Sequence, residues 1–297
     1  MTSEPRSWLF VPGDDERKLA RSADAPADAL IFDLEDAVVP ERRPAARAMV
    51  GELVSAPPRS GATQWVRVNP LDTSDALADL AAVVRPHLHG IVLPKIRGGG
   101  DVVALDGHLG ALERETEIEA GSVQIMVVAT ETPEALFRLG ELIGASPRLT
   151  ACTWGAEDLS TALGASTSRT EDGSWDSPYE LARSLCLFAA RAAGAQPLDT
   201  LHAAFNDDEG LADAARRADR QGFTGKLAIH PRQVPIINEA FTPTAETIAE
   251  ARAVVAAFAA APGVGTVSLD GRMLDRPHLT QAERVLERAA RTSATRD

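Results

Sequence analysis

The sequence predicts a (β/α)8 barrel followed by a C-terminal helical extension. Three observations carry this. Short apolar runs recur along the first 235 or so residues, and eight are countable. Each is followed by an Ala-, Arg- and Glu-rich stretch of helical character, and strands alternating with helices make a parallel sheet. Finally, 297 residues suffice for one large barrel. A doubly wound sheet shares the alternation, but no glycine-rich phosphate turn follows the first run.

The runs, in order, are Trp8–Val11, Ala29–Phe32, Gln64–Val68, Gly90–Leu93, Gln124–Ala129, Leu149–Trp154, Pro197–Leu201 and Lys226–Ile229. The seventh is the weakest. Each is short and nearly uniformly apolar, as a strand covered on both faces must be. Residues 1–235 are assigned to the barrel and 236–297 to the extension. Two segments break the period. The polar stretch around ASTSRTEDGSWDSP, between Gly164 and Pro178, reads either as a loop over the barrel mouth or as an insertion of no consequence. In the extension, Asp270-Gly271 flanked by apolar residues suggests a hairpin turn, and the tail is a candidate lid or an arm reaching another subunit.

Composition narrows the function classes. Hydrophobic residues make up 44% and charged residues 25%, as in a soluble globular protein. A net charge of −13 argues against a nucleic-acid partner. Two cysteines, Cys152 and Cys186, do not make a disulfide framework, so a reducing cytoplasm is expected. No signal peptide and no membrane-spanning stretch is legible.

The chemistry is expected where barrels of this kind hold it, at the strands' carboxyl ends. The polar residues found there are Asp33, Glu35, Asp36, Arg67, Asn69, Lys95, Glu131, Asp158 and His230. Glu131 and Asp158 follow successive strands. On parallel neighbours they converge, and two carboxylates with no local cation suggest a hard divalent metal such as Mg²⁺. Each acid also has a plain reading, Glu131 opening a helix and Asp158 capping one. Arg67, between two valines, needs an anionic partner, either a ligand or a mouth carboxylate. Lys95 at a strand end admits a Schiff-base role. His230-Pro231 is equally readable as a turn.

In order along the chain, SWLFVPGDDERKLA, ALIFDLEDAVVPERR, VRVNP, GIVLPKI, TETPEAL, WGAEDL, GKLAIHPRQVPIINEAF and DGRMLDRP resemble the citrate lyase beta-subunit-like branch of the HpcH/HpaI aldolase family, from about Arg6 to Pro277. The resemblance implies a TIM barrel with a C-terminal helical extension. It further implies a Mg²⁺-dependent carbon–carbon lyase (Mn²⁺ being the alternative ion) acting on an acyl-CoA thioester such as malyl-, methylmalyl-, citramalyl- or citryl-CoA, with a small 2-keto acid as the other half.

On that resemblance Glu131 and Asp158 match the metal ligands and Arg67 the active-site arginine. Asp275, in Gly271-Arg272-Met273-Leu274-Asp275, matches the acid/base, with Leu274 where the family has Ile. Thr130 stands where the metal motif usually has Ile. Glu35 and Asp36 are expected to hold metal-bound water, Lys95 and Asn69 to support the substrate, and CoA to meet Arg6, Arg17, Lys18 or His230. A homotrimer or homohexamer is implied. Three rivals remain: a malyl-CoA-type thioesterase, an aldolase on free 2-keto acids, and a beta subunit working with an acyl carrier protein. Neither the acyl group nor the keto acid is readable.

Overall fold

The computed structural model describes residues 4–294. The barrel strands are β1 (Ser7–Pro12), β2 (Ala29–Asp33), β3 (Thr63–Arg67), β4 (Gly90–Leu93), β5 (Gln124–Val128), β6 (Leu149–Thr153), β7 (Gln196–Asp199) and β8 (Gly225–Ala228). The helices among them are α1 (Glu16–Ser22), α2 (Arg43–Leu53), α3 (Asp75–Val83), α4 (Gly99–Glu115), the one-turn α5 (Pro133–Leu136), α6 (Glu157–Leu163), α7 (Ser177–Ala192) and α8 (Asp208–Gln221). After β8 come α9 (Gln233–Ala240), α10 (Ala245–Ala259), a hairpin of β9 (Thr266–Leu269) and β10 (Arg272–Asp275), and α11 (Arg276–Ala294). All eight expected strands are present, the seventh included.

Each barrel strand pairs in parallel with the next, and β8 returns to β1 in the register Ser7↔Lys226, Trp8↔Leu227, Leu9↔Ala228, so the sheet closes. Closure brings two backbones together at Gly225. A Cβ there would sit 2.6 Å from the Pro5 carbonyl oxygen and 2.8 Å from that of Arg6, so only glycine fits. The interior is filled by alternate residues, among them Trp8, Ile31, Trp65, Met126, Leu198 and Leu227. Because the period is two, their neighbours face the helices, and the strands read as unbroken apolar runs.

The chain divides into two compact units, Glu4–Asn238 and a second from Glu239 onward. In the second, α10 packs on α11, and β9 pairs antiparallel with β10 from Thr266↔Asp275 to Leu269↔Arg272. The hairpin turns on Asp270 and Gly271, both at positive φ (51° and 73°), the conformation an Asp-Gly pair tolerates best. Among the described residues no helix is long and apolar enough to cross a membrane.

Candidate active site

The carboxyl ends of the strands surround a cavity of about 380 Å³. Phe10, Trp154, Leu201 and Leu227 give it an apolar wall, and Asp33, Asp36, Arg67, Glu131 and Asp158 give it charge. The two acids expected to converge thus line one space.

The β2–β3 side is an ion-pair array. Register sets Asp33 beside Arg67. Arg67 Nε donates to Asp33 Oδ1 (2.8 Å) and Nη2 to Oδ2 (2.6 Å), a two-pronged pair. Arg67 Nη1 lies 3.0 Å from Glu35 Oε2, though not aligned for a hydrogen bond, and 3.5 Å from Asp36 Oδ2. Asp33 also accepts from the Glu35 and Ala37 backbone N–H groups, which turns the chain so that Glu35 and Asp36 follow at the mouth. Burial works against the Arg67 charge, but Asp33, Glu35 and Asp36 outweigh it and raise the pKa. Its ring-face contact is Phe10, 4.8 Å below the guanidinium carbon. The anionic partners that Arg67 required are therefore protein carboxylates, and the residue keeps a permanent charge at the cavity wall.

Lys95 closes the array. Its ammonium binds Glu35, lies 3.0 Å from Asp36 Oδ1 and 3.4 Å from Asp158 Oδ1. Glu35 and Asp36 hold its pKa up against the burial that would lower it, so it carries a proton and does not suit Schiff-base chemistry. Its backbone is left-handed (φ 51°), and from that conformation its N–H donates to Glu131 Oε2 at 2.7 Å.

Glu131 is only 5% exposed. Among the described residues no lysine or arginine lies within ion-pair distance of it. Burial pushes its pKa to about 8, and Asp158 and Glu35 add to the rise, while the Lys95 N–H opposes it. Gly155 makes the space. A Cβ there would lie 2.7 Å from Glu131 Cγ. A buried carboxylate pressed by like charges fits a hard cation. Among the described residues no group of three or more His, Cys, Asp or Glu is placed to hold a metal ion, so the protein would supply two carboxylates at most. Two carboxylates are what Mg²⁺ commonly takes from a protein while keeping several waters. Metal uptake is therefore expected to release a proton from Glu131 below pH 8 and none well above it. Calorimetry with Mg²⁺ in two buffers of different ionisation enthalpy, at pH 7 and pH 9.5, measures this. Equal heats in both buffers at pH 7 would contradict it.

Two expectations require correction. Asn69 does not reach the cavity. It is buried, its side-chain amide donating to Asp79 Oδ2 (2.7 Å) and the Leu34 carbonyl (2.9 Å), and it ties the end of β3 to α3. Arg6 precedes β1 and so stands at the amino end of the strands, held by both oxygens of Asp28 (2.8 and 2.9 Å), away from the mouth where CoA phosphates were expected to meet it. Arg67 takes the mouth-carboxylate alternative, paired with Asp33, and still lines the cavity. Arg17 and Lys18 are exposed in the first turn of α1, on the mouth side. His230 follows β8, stacks on Phe205 at 5.5 Å, and accepts from the Arg232 N–H through Nδ1. Asp275 ends β10 in the second unit, its carboxylate paired with His278.

Sequence reading missed the aromatic support behind the mouth. Trp154 is fully buried, Trp175 from the polar 164–178 stretch packs edge-on against it at 4.9 Å, and Arg169 lies 3.2 Å over Trp175. The signal was present as a lone tryptophan in an otherwise polar loop. It also passed over Asp199 and Lys226, a buried pair on β7 and β8.

Comparison with known proteins agrees with this architecture. Residues 6–231 match the family model described as HpcH/HpaI aldolase/citrate lyase, and residues 186–292 match a C-C bond lyase of the TIM-barrel fold. The citrate lyase subunit beta of Haemophilus influenzae is 37% identical, over 96% of each chain. The L-malyl-CoA/beta-methylmalyl-CoA lyase of Cereibacter sphaeroides is 33% identical, over 97% of this chain and 96% of the relative. A crystal structure of the protein CitE from Mycobacterium tuberculosis, in complex with magnesium, acetoacetate and coenzyme A, superposes with a TM-score of 0.79 at 34% identity, covering 97% of this chain and 99% of that one. With three quarters of its length under one family model and full-length relatives above the 30% level, the chain belongs to the HpcH/HpaI aldolase/citrate lyase family and is a lyase.

Proposed function

We propose that the chain is a Mg²⁺-dependent carbon–carbon lyase that cleaves, or forms by Claisen-type condensation, a 3-hydroxyacyl-CoA thioester of the malyl-, methylmalyl-, citramalyl- or citryl-CoA kind. The observation that carries this is Glu131, a buried carboxylate with no cationic partner, sharing one cavity with Asp158. Support comes from relatives whose names specify malyl-CoA and beta-methylmalyl-CoA, and from the CitE complex with magnesium and coenzyme A.

Glu131 and Asp158 would hold the ion, and Lys95, Glu35 and Asp36 would order the water around it. The ion supplies Lewis-acid polarisation of the keto acid's carbonyl oxygen. Arg67, permanently charged at the cavity wall, stabilises the oxyanion that develops as the carbon–carbon bond breaks or forms. Phe10, Trp154, Leu201 and Leu227 exclude water from the reacting carbons. Asp275 takes a proton from the carbon alpha to the thioester carbonyl in condensation and returns it in cleavage, a role worth about 10²–10⁴-fold in rate.

The test is cleavage of malyl-CoA and citramalyl-CoA by the purified chain, with separate detection of free thiol and of keto acid. Keto acid released in step with acetyl-CoA, lost in EDTA and reduced at least about 100-fold in Asp275→Asn, is the expected result. Thiol without keto acid would make the chain a thioesterase. Full activity in EDTA would remove the metal from the reaction.

A further inference from the structure

A second cavity, of about 610 Å³, opens between α7 and α8 beneath the 169–175 loop. That volume is ordinary for a small-molecule site. It lies outside the barrel wall, because Leu198 and Leu227 fill the interior and their neighbours Asp199 and Lys226 therefore face the helices.

Its floor carries more positive than negative charge. Lys226 Nζ is 2.8 Å from Asp199 Oδ2, and Arg183 Nε is 2.9 Å from Asp199 Oδ1. The three side chains are 2%, 4% and 3% exposed, so two buried cations share one carboxylate. The remaining partners of the cations are neutral, the Thr200 carbonyl for Lys226 and Gln221 for Arg183. Above the floor, Arg169 is stacked on the Trp175 indole, and its guanidinium donates to the Gly173 carbonyl at 3.0 Å. Among the described residues no carboxylate lies within 4 Å of Arg169 or Arg220, both of which line the cavity. Burial depresses the Arg169 pKa, and the more distant Glu157, Asp199 and Glu180 offset this only in part. His202, on the same wall, is lowered by burial and further by Lys226 and Arg169.

The acids at the rim are committed elsewhere. Asp172 accepts from Thr170 and Ser174, Asp207 caps α8 and meets His202, and Asp213 pairs with Arg216. Arg217 is taken by Glu180. In a chain of net charge −13, two buried cations on one carboxylate, beneath a half-desolvated arginine, leave an excess of positive charge that favours an anion.

We propose that this groove, which adjoins the barrel mouth across the shared Thr200 and Leu201, is a second ligand site that takes the phosphoryl group of a small molecule or free phosphate. Arg169 offers its planar fork, and Lys226 a point charge at the floor. Loops after the seventh and eighth strands are a frequent place for phosphate in barrels. Trp175 packs on Trp154, which lines the mouth, so occupancy is readable in tryptophan emission.

The experiment titrates the full chain with inorganic phosphate at constant ionic strength, following tryptophan fluorescence and calorimetric heat. Saturable binding in the wild type is expected, about tenfold weaker in Arg169→Gln and in Arg220→Gln, each of which removes a charged donor. Asp158→Asn, a change at the mouth, is expected to bind phosphate as the wild type does. Bound CoA is expected to leave phosphate affinity unchanged, whereas displacement of phosphate by CoA would merge the groove with the substrate site and overturn the proposal. The proposal also fails if chloride gives the same response, or if Arg169→Gln binds phosphate with wild-type affinity.

Discussion

Glu131→Gln is expected to abolish carbon–carbon cleavage of the CoA thioester while making the metal-free protein more stable. Loss of a metal-borne Lewis acid removes several kcal/mol of barrier lowering, so a drop of about 10³-fold or more in kcat is expected. The stability gain follows from the raised pKa of about 8 against an ordinary 4.5. Between those values the folded chain holds a proton that the unfolded chain has given up, so ionisation opposes folding increasingly as pH climbs through that window. Glutamine carries no such penalty. The gain is thus absent below pH 4, reaches about 3 kcal/mol near pH 7, and levels off above pH 8. Thermal unfolding of both forms in EDTA across pH 4–9 measures it. A variant less stable than the wild type at pH 8 would show that Glu131 is held by its neighbours rather than strained by them.

The second large effect is structural. Asp199→Asn leaves Lys226 and Arg183 buried without a counter-charge, and breaking a buried ion pair from one side costs about 3–5 kcal/mol. For a unit of this size the melting temperature should fall by roughly 10 °C. Although burial alone would raise the Asp199 pKa, Lys226 and Arg183 bring it down to about 2, below its ordinary 3.8. Its contribution is therefore complete above pH 4 and disappears as pH falls toward 2. The double variant Asp199→Asn, Lys226→Met restores the original net charge of the cluster and is expected to recover part of the loss. A single variant that melts with the wild type would mean that the buried cations find solvent.

Much of this was legible because a parallel barrel buries both strand faces. The eight strands appear in the sequence as unbroken apolar runs, and a carboxylate directly after one, as at Asp33 and Glu131, marks the open end. Direction was legible as well. Arg6 comes before its strand, and that order alone places it at the far end from the mouth, although the resemblance drew it to the CoA phosphates. Asn69 was not readable in the same way. Alternation stops where the strand stops, so nothing local says that its amide turns outward to Asp79 rather than inward. The Asp199–Lys226 pair joins residues 27 apart on neighbouring strands, and the sequence between them names no pairing. Arg67 shows the remaining limit. The need for an anion was evident, but the choice between protein and ligand depends on the Asp33↔Arg67 register.

Lys95 is caught between two demands that no single residue meets. Its main chain has the twist that glycine adopts freely and a lysine adopts at a cost of about 1–3 kcal/mol. Its side chain gathers three acids that would otherwise repel one another. A lineage drifting toward a relaxed backbone would give up the ammonium, and one keeping the ammonium inherits the strain. Efforts to make the protein hardier by relaxing this backbone would give up the charge that holds the acids together, and should leave the position alone.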